Sequence, residues 1–400
     1  MNSAIPTSHP SCNFCTPELV YCVIPLDRFF LPNHVAGMSA CEKILVAMSG
    51  GVDSSVAALL LHRAGSAVEG AYMKNWINEE NILGNCPWQA DIEDARMVAR
   101  SLGIPFRIIN FMEQYREKVV DYLLQGYQDG ITPNPDVICN RDMKFGAFLD
   151  QARKAGFGAV ATGHYVRRVL RSDGSWDLLE GVDKTKDQSY FLALLNQKQI
   201  AAARFPIGEL QKTEVRKLAS KFNLATATKK DSQGICFIGK VKMSDFLRAF
   251  VPDRPGSIMD QRGKILGQHR GLHLYTLGQR RGLGVPSNRP HEAYVVVEKR
   301  VHANELVVAF ERRDTERLYA RSCQIGSISC TNRPLPSRVR ISARPRYRAK
   351  AGAVEFEANG EGRARLRFDE PQRAITPGQV CALYDGETLL GGGIFEEVYD

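Results

Sequence analysis

Short apolar runs alternate with segments of helical periodicity through the first half of the chain, beginning near residue 43. Four apolar runs predict buried strands: Ile44–Met48, Val68–Met73, Phe106–Asn110 and Ala159–Thr162. Four periodic segments predict the helices between these strands: Ser54–Ala64, Asp91–Leu102, Met112–Tyr127 and Asp142–Ala155. This alternation is typical of a doubly wound parallel sheet, so the pattern predicts an α/β fold for this part of the chain.

The pattern changes twice in the second half. Beyond about residue 240, Gly and Pro divide the sequence into short pieces around modest strands, which indicates a small, loop-rich central domain. From about residue 313, alternating segments separated by turns predict a compact β-barrel: Ser337–Ser342, Ala353–Glu357, Arg363–Phe368 and Val380–Tyr384. The predicted division is an extension at 1–40, an α/β domain at 41–239, a central domain at 240–312 and a C-terminal β-barrel at 313–400.

Composition narrows the class of protein. The 400 residues contain no apolar run of eighteen, so nothing suggests a membrane protein. A net charge of +9 favours a polyanionic partner, although ribosomal and DNA-binding proteins share that property. The ten cysteines are scattered and follow no signal peptide, so we expect a reducing, cytoplasmic setting. Residues 1–40 have few charges and no periodicity, and we expect a disordered extension or a gene start assigned too early.

A glycine-rich segment, Ser49–Ser55, joins the first predicted strand to the first predicted helix. Glycines let backbone N–H groups approach an anion, and the helix N-terminus adds partial positive charge. A Walker A loop would contain Gly-Lys-Ser/Thr, and this segment has no lysine. It resembles the SGGxDS pyrophosphate loop of ATP pyrophosphatases, which implies cleavage of ATP between its α and β phosphates and a Mg²⁺ ion held by Asp53. A strand-to-helix turn without a ligand is the alternative.

Further candidates follow the predicted strands, where open α/β sheets bind ligands: Lys74 and Gly163 occupy such positions, as Gly51 does. Two cysteines lie in segments rich in turn-forming and polar residues, Thr132–Asn140 and Asp231–Gly239. We expect both segments to be loops, and a cysteine exposed in such a loop can be reactive. Taken singly, each cysteine is more often a small core residue.

Five motifs in order carry a resemblance to a known family. They are TPNPDxxCN at Thr132–Asn140, ATGHY at Ala161–Tyr165, KDQSYFL at Lys186–Leu192, DSxGICFIG around Cys236, and LGQRxGLG at Leu277–Gly284. From about residue 42 to the carboxyl end, the chain resembles the tRNA-specific 2-thiouridylases, which replace the C2 oxygen of a wobble uridine by sulfur. The stretch Asn78–Asp91 is only loosely similar, and Cys86 within it is expected to be structural.

The resemblance implies site residues. Those for ATP are Ala47, Met48, Ser49, Gly50, Gly51, Val52, Asp53, Ser54, Met73 and Gly163. Those around the target base are Asn134, Pro135 and Asp136, and the base must leave its stack to reach them. Those that touch tRNA are His164, Lys186, Asp187, Gln188, Arg346, Tyr347, Arg348 and Gln379. For His164 a satisfied core histidine is the alternative, and Lys186–Gln188 can equally be a helix N-terminus capped by Asp187.

The implied chemistry uses ATP and two thiols. The C2 oxygen of the uridine attacks the α-phosphate, and the adenylated oxygen becomes a leaving group. Cys236 carries a persulfide loaded by an outside sulfur-donor protein, Cys139 acts as the second nucleophile that frees the sulfur or closes a disulfide, and Asp136 is a possible general acid or base. The expected partners are the anticodon arm of tRNA and the sulfur donor, with no membrane partner.

Two basic clusters are candidates for contact with phosphate. The first includes Tyr347 and seven cations: Arg333, Arg338, Arg340, Arg344, Arg346, Arg348 and Lys350. The second, in the central domain, consists of His269, Arg270, Gln279, Arg280 and Arg281. A solvated charged surface without a ligand is the alternative for the first cluster.

Other functions fit parts of the sequence. A small-molecule ligase such as argininosuccinate synthetase, or an amidotransferase-coupled synthetase, would share the pyrophosphate loop, but no glutaminase unit is evident. An iron–sulfur tRNA thiolase is possible but not favoured; Asp136, Cys139 and Cys236 would supply its ligands. A non-catalytic RNA-binding protein would explain the basic clusters and leave the nucleotide loop unexplained.

Overall fold

The computed structural model describes residues 42–76, 88–231, 242–287 and 289–399. Within these ranges, one sheet is entirely parallel and has the strand order β3-β2-β1-β4-β7. Its strands are β1 (Lys43–Ala47), β2 (Ala67–Lys74), β3 (Phe106–Asn110), β4 (Ala159–Ala161) and β7 (Ala203–Arg204). The predicted α/β fold with a doubly wound parallel sheet is therefore confirmed.

Helices surround this sheet because both of its faces carry buried apolar residues. They are α1 (Val52–Arg63), α2 (Trp88–Leu102), α3 (Met112–Tyr115), α4 (Asp121–Gln128), α5 (Pro135–Ile138), α6 (Phe148–Lys154), α7 (Gln197–Ala201) and α8 (Lys212–Lys221). A π-helical turn at Arg116–Val120 joins α3 to α4, and a longer one at Cys139–Ala147 joins α5 to α6. Two long interrupted helices therefore lie between β3 and β4.

A smaller sheet follows α9 (Met243–Phe250) and has the strand order β10-β11-β8-β9. Its strands are β8 (Gly256–Asp260), β9 (Ile265–His269), β10 (Tyr294–Arg300) and β11 (Glu305–Phe310). Apolar side chains of these strands form buried clusters of their own, separate from those of the parallel sheet. The prediction of a central β-containing unit is confirmed.

The C-terminal strands close into a ring. They are β12 (Tyr319–Cys330), β13 (Arg338–Arg344), β14 (Gly352–Ala358), β15 (Ala364–Arg373), β16 (Val380–Asp385) and β17 (Thr388–Tyr399). The order β12-β15-β14-β13-β16-β17 is closed by the pairing of β12 with β17, so the predicted β-barrel is confirmed. A hairpin of β5 (Val166–Leu170) and β6 (Trp176–Glu180) extends this sheet through β17, although it lies within the predicted α/β domain.

Within the described ranges, every helix is too short or too polar to span a bilayer. The predicted domain boundaries at residues 239 and 312 stay predictions. Strand β6 lies before the first boundary and pairs with β17, so the α/β part of the chain contributes strands to the sheet of the barrel.

Candidate functional site

The glycine-rich segment connects β1 directly to α1, at the carboxyl edge of the parallel sheet. Gly50 has a φ of +73°, and a Cβ atom there would lie 2.3 Å from the carbonyl oxygen of Asp91. The hydroxyl of Ser54 accepts from the N–H of Ser49 at 3.1 Å and donates to the carbonyl of Gly51 at 3.1 Å. The turn is thus held by its own side chains, and it is closely packed against α2.

The other residues predicted to bind ATP lie on neighbouring strands. Ala47 ends β1, Met73 lies near the end of β2, and Gly163 follows β4. A Cβ atom on Gly163 would lie 2.6 Å from the backbone nitrogen of Ser54, so the chain after β4 contacts the start of α1. The structure therefore brings the predicted nucleotide residues to one edge of the sheet, the place where such sheets bind ligands.

Asp53 is engaged in contacts that the sequence does not reveal. Both of its carboxylate oxygens accept from Nζ of Lys212, at 2.7 and 2.8 Å, and Oδ1 also accepts from the hydroxyl of Tyr165 at 2.8 Å. A Mg²⁺ ion on Asp53 would have to displace this ammonium. The residues present do not fit a preformed Mg²⁺ site, and we assign no step to the metal.

Lys212 was not among the predicted site residues. Its Nζ also contacts Asp231 at 2.8 Å, and Asp231 in turn binds Lys186 and Arg216. Hydrogen bonds and ion pairs with Lys186 and Lys212 lower the pKa of the Asp231 carboxyl against the opposing effect of desolvation. No local motif points to Lys212, because its partners are 159 and 19 residues away along the chain.

The predicted base-binding residues begin a helix rather than forming a loop. Asn134 caps α5: its side-chain oxygen accepts from the N–H of Val137 at 3.3 Å, and Pro135 occupies the first helical turn, where a missing N–H costs nothing. From Thr132 to Asn140, every residue is buried except Asp136, which is partly exposed. Asp136 therefore offers the accessible functional group of this turn.

Other parts of the chain hold this turn in place. The side-chain amide of Gln379 donates to the carbonyls of Thr132 and Pro133, at 2.8 and 3.1 Å, from the barrel side. The amide of Asn134 lies 3.4 Å from the hydroxyl of Tyr190, which donates to the carbonyl of Val380 at 2.8 Å. Gln379 thus orients the predicted base-binding turn, and its contact with tRNA stays a prediction.

The expectation that Cys139 is exposed in a loop is wrong. It is the first residue of the π-helical turn after α5, and 2% of it is exposed. The two prolines had suggested a loop, but Pro135 is compatible with a helix start and the helix continues through residue 154. Cys236 and Cys86 lie outside the described residues, so the pairing of Cys139 with Cys236 stays a prediction.

His164 is a buried neutral histidine. Its Nδ1 lies 2.7 Å from the hydroxyl of Thr162 and its Nε2 lies 3.5 Å from Nζ of Lys144. Desolvation, with a smaller contribution from Lys144, lowers its pKa well below the usual 6.5. The rings of Phe145 and Phe205 pack against it. The core-histidine alternative describes this environment, and a contact with tRNA stays a prediction.

The three residues Lys186, Asp187 and Gln188 all have partners within the protein. The carboxylate of Asp187, 5% exposed, accepts from Ser189 and from the N–H of Gly181 and pairs with Arg344 at 3.1 Å. Gln188 accepts from the N–H of Tyr165 at 3.1 Å. The capping alternative is wrong in detail: Gln188 is the N-cap of the short 3₁₀ helix Ser189–Leu192, which has no side-chain cap, and within that helix Asp187 accepts only from the first residue, Ser189. Contacts of these residues with tRNA stay predictions.

The basic residues 333–350 divide into two groups. Arg333, Arg338, Arg340 and Arg344 each pair with a carboxylate. Within the described ranges, Arg346 and Arg348 have no carboxylate partner: Arg346 donates to a carbonyl oxygen at 3.1 Å, and Arg348 lies over the ring of Tyr347 at 5.3 Å. Lys350 is exposed and also has no carboxylate partner in those ranges, so Arg346, Arg348 and Lys350 are the unpaired positive charges of the segment.

One residue of the second basic cluster, His269, does not lie at the surface. His269 is 1% exposed, and its Nε2 lies 3.1 Å from the carbonyl of Asn304, so it is a core residue and not part of a phosphate-binding surface. Its pKa is lowered, chiefly by burial. In the part of the chain that the structure describes, no three His, Cys, Asp or Glu side chains converge as metal ligands. The iron–sulfur alternative depends on Cys236, which lies outside that part.

Comparisons with known proteins assign the three parts of the chain. Residues 42–240 match the family model of the tRNA methyl transferase HUP domain, residues 244–310 that of the tRNA methyl transferase PRC-barrel domain, and residues 320–395 that of the aminomethyltransferase β-barrel domain.

Full-length relatives match as well. The tRNA-specific 2-thiouridylase MnmA of Akkermansia muciniphila is 58% identical over 356 residues, which cover 89% of this chain and 99% of that protein. The protein of the same name from Lysinibacillus sphaericus is 46% identical over 358 residues, covering 89% and 95%. Among solved structures, an NMN synthetase from Francisella tularensis aligns with a TM-score of 0.33 at 14% identity, covering 53% of this chain and 74% of that one. At that TM-score, the alignment supports no conclusion.

Proposed function

The chain belongs to the tRNA-specific 2-thiouridylase family of tRNA sulfurtransferases, and on that premise we propose that it uses ATP to adenylate the C2 oxygen of the wobble uridine and then replaces that oxygen by persulfide sulfur. The products are a 2-thiouridine in tRNA, AMP and pyrophosphate. Since persulfide chemistry needs reduced thiols, the cytoplasm is the expected location.

One observation carries this proposal: hydrogen bonds connect the glycine-rich turn to the helix that bears Cys139. Tyr165 donates to Asp53 through its hydroxyl and to Gln188 through its N–H. The backbone of Gln188 accepts from the N–H of Phe191, and the amide of Asn140 donates to the carbonyls of Phe191 and Asp136. A nucleotide on the turn and a base beside Asp136 would therefore lie on one connected framework.

The first step forms a bond between the C2 oxygen of the uridine and the α-phosphorus of ATP. The bond between the α-phosphorus and the bridging oxygen breaks, and pyrophosphate leaves with the electron pair. The uridine loses its N3 proton as the oxygen attacks. We assign acceptance of that proton to Asp136, because it is the partly exposed residue of the predicted base-binding turn.

The second step exchanges oxygen for sulfur. The terminal sulfur of a persulfide on Cys236 attacks C2, and AMP leaves with the former C2 oxygen. The thiolate of Cys139 then attacks the Cys236 sulfur, which forms a Cys139–Cys236 disulfide and releases the thiocarbonyl, while Asp136 returns the proton to N3. A cellular dithiol must reduce that disulfide before the next cycle, and a sulfur-donor protein must renew the persulfide.

Burial of Cys139 is compatible with this role only if the substrate reaches it. Every neighbour of Cys139 in Thr132–Asn140 is buried except Asp136, so the base would enter beside Asp136, one helical turn before the thiol. Entry there would exclude water from the adenylated base, which protects it from hydrolysis.

A reconstituted assay tests the proposal. The purified chain is incubated with ATP, a sulfur donor and an unmodified tRNA transcript that has uridine at the wobble position. We expect 2-thiouridine in the digested tRNA, with AMP formation that depends on tRNA. The variants Cys139→Ser and Cys236→Ser should form no 2-thiouridine.

Cys330→Ser is the matched control, since Cys330 ends β12 in the barrel and should be dispensable. Full thiolation by Cys236→Ser would refute the persulfide route. Absence of tRNA-dependent AMP from the unaltered protein would refute the ATP-dependent function and would favour a protein that only binds RNA.

A further inference from the structure

The glycine-rich turn contains no lysine, although the proposed reaction places growing negative charge beside it. As pyrophosphate departs, charge develops on the bridging oxygen and the β-phosphate, and a fixed cation at that place would stabilise the transition state. In phosphate loops of the Walker type, a lysine within the loop supplies this cation. Here another element must supply it.

The structure places one ammonium group directly against the turn. Lys212 is the first residue of α8, and its Nζ contacts both carboxylate oxygens of Asp53, which belongs to the first turn of α1. Its side chain is 13% exposed, and Nζ lies 5.8 Å from the centre of the Tyr165 ring. Its backbone N–H donates to Asp183 at 3.0 Å, which fixes the start of α8 beside the turn.

Two other lysines near this edge are held elsewhere. Lys229 binds Asp91 and Asp94 of α2, at 2.7 and 2.5 Å, and Lys74 lies over the ring of Trp88 at 5.5 Å. Neither contacts a residue of the glycine-rich turn in these interactions. Among the residues that the structure describes, Lys212 is the cation that forms an ion pair with a residue of the turn.

From this geometry we propose that Lys212 is a further catalytic residue, whose ammonium group binds the departing pyrophosphate of ATP. The inference rests on the proposed function. An ammonium has three N–H donors, and here they face the two oxygens of Asp53 and one oxygen of Asp231. When the nucleotide binds, a phosphate oxygen replaces one oxygen of Asp53, while Asp231 keeps the ammonium in place.

The alternative role is purely local: Lys212 would neutralise Asp53 and touch no phosphate. The two roles differ in what happens when Asp53 also loses its charge. If Lys212 only neutralises Asp53, the double variant Asp53→Asn/Lys212→Gln recovers what Lys212→Gln lost. If Lys212 binds phosphate, the double variant stays defective, and its kcat is lower than that of Asp53→Asn alone, which controls for any contact that Asp53 itself makes with the nucleotide.

The experiment uses the full chain, ATP, an unmodified tRNA transcript and inorganic pyrophosphate as the binding probe. Lys212→Gln should lower kcat for tRNA-dependent AMP formation about 100-fold, as expected for loss of one charged group at a transition state, and weaken pyrophosphate binding about tenfold. Lys212→Arg retains the charge and should bind pyrophosphate within about threefold of the unaltered protein, because guanidinium also binds phosphate.

Lys217→Gln is the matched control, because Lys217 is an exposed residue of the same helix. It should match the unaltered protein in both assays. Recovery of kcat by the double variant, or equal pyrophosphate binding by Lys212→Gln and Lys212→Arg, would overturn the inference. An unaltered protein that forms no AMP would instead refute the proposed function, so the two failures are distinguishable.

Discussion

The turn at Ser49–Ser55 and the basic segment at residues 333–350 have the clearest sequence patterns of the chain. The observed contacts agree with the pattern in the turn and only in part in the basic segment. The turn lies at a strand end, as its sequence pattern predicts, and a close backbone contact and a positive φ require glycine at Gly50. In the basic segment, four of the seven cations pair with carboxylates of the same chain. A backbone motif therefore predicts its own geometry, whereas a run of like charges does not predict what neutralises it.

One added methyl group tests whether the turn requires its close backbone contact. Gly50→Ala places a Cβ atom 2.3 Å from the carbonyl oxygen of Asp91 and requires a φ of +73° from alanine. We expect ATP-dependent activity to fall at least about 100-fold, because a misplaced phosphate site loses its preorganised donors. The measurement is tRNA-dependent AMP formation.

Gly65→Ala is the control for backbone strain alone. Its φ is +84°, yet nothing lies within 4 Å of the added Cβ atom. We expect a cost in stability of about 1 kcal/mol and normal AMP formation. Equal loss of activity in both variants would show that close packing at Gly50 is not what the turn requires.

The arginines of the basic segment should differ in how much each contributes to the stability of the folded protein. Arg344 contacts Glu180 and Asp187, whose side chains are 8% and 5% exposed, so Arg344→Met removes one charged partner from each of two buried carboxylates. We expect a loss of about 3 kcal/mol, seen as a lower Tm. Arg340→Met, at an arginine whose side chain is 67% exposed, should cost less than about 1 kcal/mol. Similar Tm values for the two variants would contradict this division.

In tRNA binding we expect the opposite order: the arginines without a carboxylate partner should contribute more than the paired ones. Arg346 and Arg348 are the arginines without a carboxylate partner in the described ranges. We expect Arg346→Ala/Arg348→Ala to weaken tRNA binding about tenfold and to reduce the slope of log K against log salt by about 1.5, from two lost phosphate contacts. Arg338→Ala/Arg340→Ala, which removes two paired arginines, should change the slope less. Unchanged slopes in both would make this a solvated surface without RNA.

The smallest expected effect is the contribution of His164 to the pH dependence of stability. The pKa of His164 is lowered by burial in the folded chain, so the unfolded chain takes up a proton as pH falls below about 6.5 and the folded chain does not. Stability attributable to His164 is therefore complete above pH 6.5 and decreases below it, by about 1 kcal/mol at pH 5.5. His164→Gln should flatten the decrease in Tm between pH 7.5 and 5.5, whereas arginine does not titrate there. An unaltered pH dependence would show that His164 is solvated.

Much of the α/β part could be predicted from the sequence, because apolar runs and Gly-rich turns are local signals. The predicted strands at residues 44–48, 68–73, 106–110 and 159–162 all correspond to observed strands, within one or two residues at each end. The pairing of β6 with β17 could not be predicted, since it joins residues about 210 positions apart. Lys212 could not be identified for the same reason, since Asp53, which it contacts in the turn, is 159 positions away along the chain.

The segment Thr132–Asn140 shows a different kind of error. Two prolines near an acid and a thiol favoured a loop, but proline is also common in the first turn of a helix, and Asn134 supplies the cap that starts one. The chemistry assigned to the motif stays a prediction, and the burial of Cys139 was not predicted. Cys139 is buried, so its accessibility has to be tested by experiment.

The proposed reaction requires ATP to activate the C2 oxygen of the target uridine. The most direct test uses a tRNA in which that oxygen is ¹⁸O, with analysis of the released AMP by mass spectrometry. If the oxygen attacks the α-phosphate and departs with AMP, each AMP formed during thiolation contains one ¹⁸O atom. AMP without the label, released while 2-thiouridine accumulates, would contradict the account.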